Sequence, residues 1–151
     1  MSAFVTAGGG FLLAVLWFDL MFDVQVLGQR DAELPESTLS SIASYYARVT
    51  TAARPMNRLI AAVMLATLAA IVVEIADGGG IPSAAAWVSL LLAAMPIGLA
   101  AARTVPNAVR LGAREDDALE RQSALARSIF REHAFCFASI GALVALQLAV
   151  A

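Results

Sequence analysis

The chain has 151 residues, 60% of them hydrophobic and 15% charged, with a formal net charge of −2. A soluble domain is about 45–50% apolar and about a quarter charged, so a water-soluble globule does not fit. A disordered chain, with its low hydrophobicity and high net charge, does not fit either. The charge balance excludes a nucleic-acid-binding surface, and four long apolar blocks point to a small integral membrane protein.

A membrane-spanning helix needs about 20 mainly apolar residues. In chain order the spans are expected over residues 4–26, 57–76, 83–103 and 132–150. The runs are too long and too continuously apolar for barrel strands, which alternate over about 10 residues. The fold class that follows is all-α, a single domain over residues 1–151 built as a four-helix membrane bundle.

The first block carries Asp19 and Asp23, four residues apart and therefore on one helix face. Its Gly8-Gly9-Gly10 run lets another helix approach closely. Nothing basic precedes Arg30, so the block reads as a retained helix rather than a cleaved signal. Residues 27–56 form the first long loop. Within it Ser37 reads as an N-cap, and Leu39, Ile42, Ala43, Tyr46, Val49 and Ala53 recur at helical spacing. These predict an amphipathic helix over Thr38–Ala53, lying on the membrane surface or continuing toward the second span. Pro55 then breaks the chain before that span.

The second span ends near Glu74, and residues 77–82 are rich in glycine, a tight turn that makes spans two and three an antiparallel hairpin. Trp87 follows at interfacial depth. Residues 104–131 form the second long loop. There Glu115, Asp116 and Asp117 favour a helix start, and Leu119, Leu125, Ala126, Ile129 and Phe130 form an apolar stripe. The fourth helix is thus expected to begin near Asp116 and to project from the membrane. Cys136, the single cysteine, can form no internal disulfide and reads as a small buried hydrophobe.

Ionisable groups within spans are costly and mark functional sites. At one end of the bundle the sequence gathers Asp19 and Asp23 from the first span, Asn57 and Arg58 from the second, Asn107 and Arg110 beyond the third, and His133 from the fourth. His133, Asp19 and Asp23 are the candidate acid–base groups. Asn57, Arg58, Asn107, Arg110 and Trp17 are the candidate substrate contacts. The scaffold alternative is that Asp19 and Asp23 simply pair with Arg58 or Arg110. The lone histidine and the absence of repeated Glu-x-x-His motifs argue against a metal centre, leaving a mononuclear site on Asp19, Asp23 and His133 as the alternative. No cofactor is specified.

Two segments, Arg54-Pro55-Met56-Asn57-Arg58-Leu59 and Arg103-Thr104-Val105-Pro106-Asn107-Ala108-Val109-Arg110-Leu111, carry a further signal. The second resembles the Pro-x-Asn-Asn-x-Leu-type signature of small four-helix membrane proteins related to anthrone oxygenase. Ala108 stands where that signature has its second asparagine. The acidic stretch Glu115–Asp117 and the placement of His133 are similar too. The resemblance implies an oxygenase or oxidoreductase acting on an apolar aromatic or lipid-like substrate. The other classes compatible with the residues are a structural, assembly or lipid-binding membrane protein, and a proton- or cation-coupled transporter or channel subunit. The expected partners are membrane lipids, an apolar small molecule, and a second copy or another membrane protein.

Arginine supplies all ten basic residues, and, with Arg58 and Arg103 at the span ends counted in, the three segments between the apolar blocks hold four, none and six of them. Basic residues stay cytoplasmic, so both long loops are expected inside, and both termini outside, the cell membrane, in bacteria the inner membrane. A reporter that works only in the cytoplasm, fused after Ala151, is expected to stay silent, and strong signal from it would overturn this orientation.

Overall fold

The computed structural model describes residues 2–29, 31–78 and 82–150, with the side chain of Ser2 excepted. Arg30 and the Gly79–Ile81 part of the expected turn lie outside the described residues. All regular structure in the described residues is helical: α1 Ser2–Asp23, α2 Glu36–Tyr46, α3 Arg54–Ala76, α4 Ser83–Leu99, α5 Val105–Gly112 and α6 Leu119–Val150. Four helices, Ala3–Val26, Arg54–Ala76, Ser83–Gly112 and Leu119–Val150, are long and apolar enough to cross a membrane. The chain has the architecture of a multi-pass membrane protein, an all-α four-helix bundle.

The four long helices form a ring. α1 packs on α3 and α6, and α4 packs on α3 and α6, while α1 and α4 share no contact, nor do α3 and α6. The glycines of α1 set two of these approaches. A Cβ on Gly9 would stand 2.7 Å from Val144 Cγ2, and one on Gly8 would overlap the Thr67 hydroxyl. Gly10 faces open space, so only two of the three glycines serve packing.

Two apolar cores result. The first lies within the spans and gathers Val5, Leu12, Ala70, Ile71, Ala93, Ile140 and Leu143. The second lies in a cap at the arginine-rich end and gathers Leu34, Leu39, Ile42, Ala43, Tyr46, Ala108, Leu111, Ala126 and Ile129. The stripe read on α2 is therefore buried against α5 and α6, not spread on a membrane surface. A short chain pass after α1 is tied to this cap by Arg127, whose guanidinium donates to the carbonyls of Ala32 at 2.8 Å and Asp31 at 2.6 Å.

Several boundaries differ from expectation. α2 starts at Glu36 with Pro35 at the N-cap position, and Ser37 caps nothing. Proline's fixed φ, here −53°, already sets the chain for a first turn. α2 ends at Tyr46, and a π-helical turn, Ala47–Ala52, replaces its expected last part. The break at Pro55 is present: Ala53 leaves helical geometry at ψ 49° and α3 begins at Arg54.

The third span does not stop at residue 103. A second π turn, Ala100–Thr104, carries it into α5, so the second loop shrinks to residues 113–118. Pro106 explains the turn, because its ring cannot donate to the helix ladder and crowds the carbonyl four residues back. Widening the helix accommodates both effects. α6 begins at Leu119 rather than near Asp116 and holds residues 132–150 as its far part. Asp116 is instead buried and receives Arg110 Nη2 at 2.6 Å.

The cap docks through one close crossing. A Cβ on Gly112 would stand 2.6 Å from Ala47 N and 2.9 Å from Tyr46 C, both backbone atoms that cannot swing away. Gly112→Ala is expected to destabilise the protein by about 1–3 kcal/mol through overpacking. Gly10→Ala, which meets nothing within 4 Å, is expected to be neutral or slightly stabilising. Thermal unfolding of both variants in detergent checks the contrast.

Candidate functional site

Between the two cores lies a cavity of about 580 Å³. Its walls are mainly apolar, with Phe11, Val15, Ile60, Met64, Ile97 and Ile140 among them. Polar groups reach it near the cap: Asp19 from α1, Tyr45 and Tyr46 from α2, Asn57 from α3, Thr104 from the second π turn, and His133 and Cys136 from α6. Both π turns line it, the first through Val49 and Thr50 and the second through Ala100 and Thr104. Such turns recur at functional sites because they redirect side chains out of the α register.

The centre of the polar set is His133, which is buried. Its Nδ1 lies 2.6 Å from Asp23 Oδ2. The other oxygen of Asp23 accepts the Tyr46 hydroxyl at 2.5 Å. Asp23 is fully buried and thus has both oxygens engaged. A carboxylate in that position holds the imidazole with Nδ1 as the donor, which fixes the ring and leaves Nε2 for other work. Nε2 faces Asp19 Oδ2 at 3.8 Å, too far for a hydrogen bond. Asp19 Oδ1 accepts the Tyr45 hydroxyl at 2.7 Å. The result is a row, Asp23–His133–Asp19, with a buried anchored end and an open end on the cavity wall.

Tyr45 and Tyr46 are adjacent on α2 yet serve different carboxylates. Burial, then the charge of Asp19, pushes the Tyr45 phenol far above its usual range. Burial, then the charge of Asp23, does the same to Tyr46. Both therefore stay protonated as donors. Phe22 stacks on Tyr45 with ring centroids 4.0 Å apart and holds its plane.

The residues expected at the site divide. Asp19 and His133 meet on the cavity wall, and Asn57 lines it while donating through Nδ2 to Thr50 O at 2.7 Å. Asp23 joins the cluster but does not line the cavity, so it positions His133 rather than touching a ligand. Trp17 is 58% exposed and packs against Phe137 at 6.2 Å, outside the cavity. Arg58 is exposed, Asn107 is half-buried off the cavity, and Arg110 is engaged by Asp116. The expected pairing of Asp19 or Asp23 with Arg58 or Arg110 is thus replaced by tyrosine and histidine partners. A long arginine stays in the polar rim, where its charge is solvated, whereas a neutral phenol can enter an apolar interior.

A second buried polar group lies at the opposite end of the bundle. Glu74 is buried, and at the same end of the bundle Gln147 Nε2 donates to Ser89 Oγ at 2.9 Å. Among the described residues no three His, Cys, Asp or Glu side chains converge as a metal-binding set. Asp19 and Asp23 address opposite nitrogens of one imidazole and so cannot share an ion with it.

Tyr45, Tyr46, Thr50, Thr104 and Cys136 are polar cavity residues that were not among those expected at the site. The tandem tyrosines carried a usable signal, since a phenol on an apolar stripe needs a partner when buried. No family model, curated protein or solved structure matches the chain.

The chain contains only these two tyrosines, so alkaline titration reads them directly. Free phenols ionise at about pH 10. With both phenols raised in the folded state, unfolding releases protons above that pH, so the tyrosines' contribution to stability is full below about pH 10 and is lost as pH rises further. Tyrosinate absorbance is expected to appear only together with loss of helical circular dichroism. Its appearance at about pH 10 with the helices intact would show that the phenols are not held by the carboxylates.

Proposed function

We propose that this protein is a membrane-embedded enzyme of the cell membrane that takes a proton from a lipophilic phenol or C–H acid, as the first step of an oxygenase or oxidoreductase reaction. One observation carries the reading: an oriented imidazole, His133, with its free nitrogen beside Asp19 on the wall of an apolar cavity near the cap. A base in a water-poor site beside a second carboxylate suits proton abstraction from a substrate that itself partitions into lipid. Asp23 and Tyr46 orient the ring, and Tyr45 orients Asp19.

The resemblance to anthrone oxygenase-related proteins suggests the overall reaction. A methylene activated by a ring carbonyl loses a proton to His133. The carbanion then reduces dioxygen and forms a carbon–oxygen bond. Loss of water leaves a new carbonyl, so one dioxygen is consumed and one water released per methylene oxidised. In this reading the cap faces the cytoplasm. The exposed arginines 48, 54, 58, 103 and 131 then meet anionic lipid headgroups. A transport path is less well supported, because Leu12, Ala93, Ile140 and Leu143 pack as apolar core between the cavity and the Ser89–Gln147 pair.

The test uses purified protein in lipid nanodiscs with anthrone under air. The protein is expected to accelerate oxygen uptake and formation of the dicarbonyl product. His133→Gln is expected to lower the rate by about 10²–10⁴-fold, and Asp19→Asn to lower it while the helical spectrum is kept. Rates for both variants equal to the unaltered protein would overturn the reading.

A further inference from the structure

Hydroxyl groups buried in helices normally find a partner, commonly the carbonyl one turn back. Among the described residues the rule holds at three of the four buried serines and threonines. Thr67 donates to Val63 O at 2.8 Å, Ser123 to Leu119 O at 2.7 Å, and Ser89 accepts from Gln147 at 2.9 Å. Thr50, in the first π turn, also donates back, to Tyr46 O at 2.6 Å. Thr104 is the exception. It is 1% exposed, its Oγ1 has no hydrogen-bond partner, and it lines the cavity.

Leaving a buried polar atom unpaired costs about 1–3 kcal/mol. The local backbone offered an alternative that the structure does not take. The second π turn rotates Thr104 out of the α register, and Val105 N–H reaches back to Ala100 O. The hydroxyl is thereby left unpaired on a residue that lines the cavity. Its position is also distinct from that of the base. Pro96 O meets Cys136 Sγ at 3.7 Å, which levels these two residues. From that level Thr104 is eight residues along one helix and His133 three along the other, so Thr104 lies about 7 Å nearer the cap. The segment carrying it makes no contact with α1, which carries Asp19. The cavity separates the two.

We propose that the Thr104 hydroxyl is a second polar anchor of the cavity, holding a neutral hydroxyl, carbonyl or ether oxygen of a lipophilic ligand whose other polar end meets His133 and Asp19. This rests on the reading of the cavity as a substrate site. It adds that the ligand carries oxygen at two separated places, and that Thr104 selects for the second. A neutral oxygen is the class indicated because no charged side chain lines the cavity besides Asp19 and His133.

The test pairs two nearly isosteric probes, 4-methoxy-1-naphthol and 4-ethyl-1-naphthol, against the unaltered protein and Thr104→Val in detergent. Binding is measured by calorimetry and thermal unfolding, independent of turnover. The unaltered protein is expected to bind the methoxy probe about fivefold more tightly than the ethyl probe, and Thr104→Val to bind both equally. Without ligand, Thr104→Val is expected to raise the melting temperature, since it removes an unpaired buried group. Equal binding of both probes by the unaltered protein, the same preference in Thr104→Val, or a lowered melting temperature in that variant overturns the Thr104 anchor while leaving the His133 reading intact. Failure of both probes to bind either protein overturns the anchor and the substrate-cavity reading together.

Discussion

The fully buried carboxylate of Asp23 is the constraint on which the rest of the site depends. An ionisable group deep in an apolar bundle is tolerated only with its oxygens satisfied. Here the two donors come from far along the chain: Tyr46, 23 residues away, and His133, 110 residues away. One side chain at the end of α1 thereby joins α2 and α6. Docking α2 at this point also brings Tyr45 to Asp19, so the orientation of both carboxylates follows from a single helix seating. Gly112 permits that seating by letting α5 cross the backbone at Tyr46 and Ala47.

The cavity exists because the molecule has two cores rather than one. Within the spans, glycines 8 and 9 draw α1 against α3 and α6, and the apolar layer around Ile71 and Leu143 fills the ring. In the cap, α2, α5 and the first turns of α6 build a separate core around Ile42, Leu111 and Ile129. Neither core supplies side chains to fill the space where they meet. Two π turns border that space, and each widens a helix beside a proline that cannot continue the ordinary ladder. The second turn runs on into α5 with its side chains shifted in register, which is how Thr104 comes to line the cavity, whereas the first ends at the break at Ala53.

The chemistry of the site follows from uneven partnering. Asp23 has both oxygens occupied and serves as a fixed anchor. Asp19 has one oxygen held by Tyr45 and the other open toward His133 Nε2 across a gap of 3.8 Å. Two carboxylates of the same type, one turn apart on one helix, are thus given different environments and different hydrogen-bond partners. The high-pKa phenols contribute hydrogen bonds without adding charge.

The membrane class, the four spans, the hairpin of the second and third, the break at Pro55, and the gathering of polar residues at one end are legible in the sequence alone. These are properties of composition and period: apolar length, breaker residues and the placement of charge act locally and can be read residue by residue. It also brought Asp19 and His133 together as candidates, since costly intramembrane ionisable groups are few. Which of them line the cavity follows from the tertiary packing. The choice of tyrosine over arginine as the partner of Asp19 and Asp23 depends on how α2 folds back on α6. The exclusion of Trp17 and Arg58 from the cavity depends on the rotation of α1 and α3, to which their nearly uniform apolar sequences give no period, and that of Asn107 and Arg110 on where α5 packs in the cap. The continuation of the third span through Pro106, and the unpaired hydroxyl of Thr104, follow from the π turn that accommodates that proline, and a proline in an apolar run does not by its identity say whether the helix ends or widens and continues.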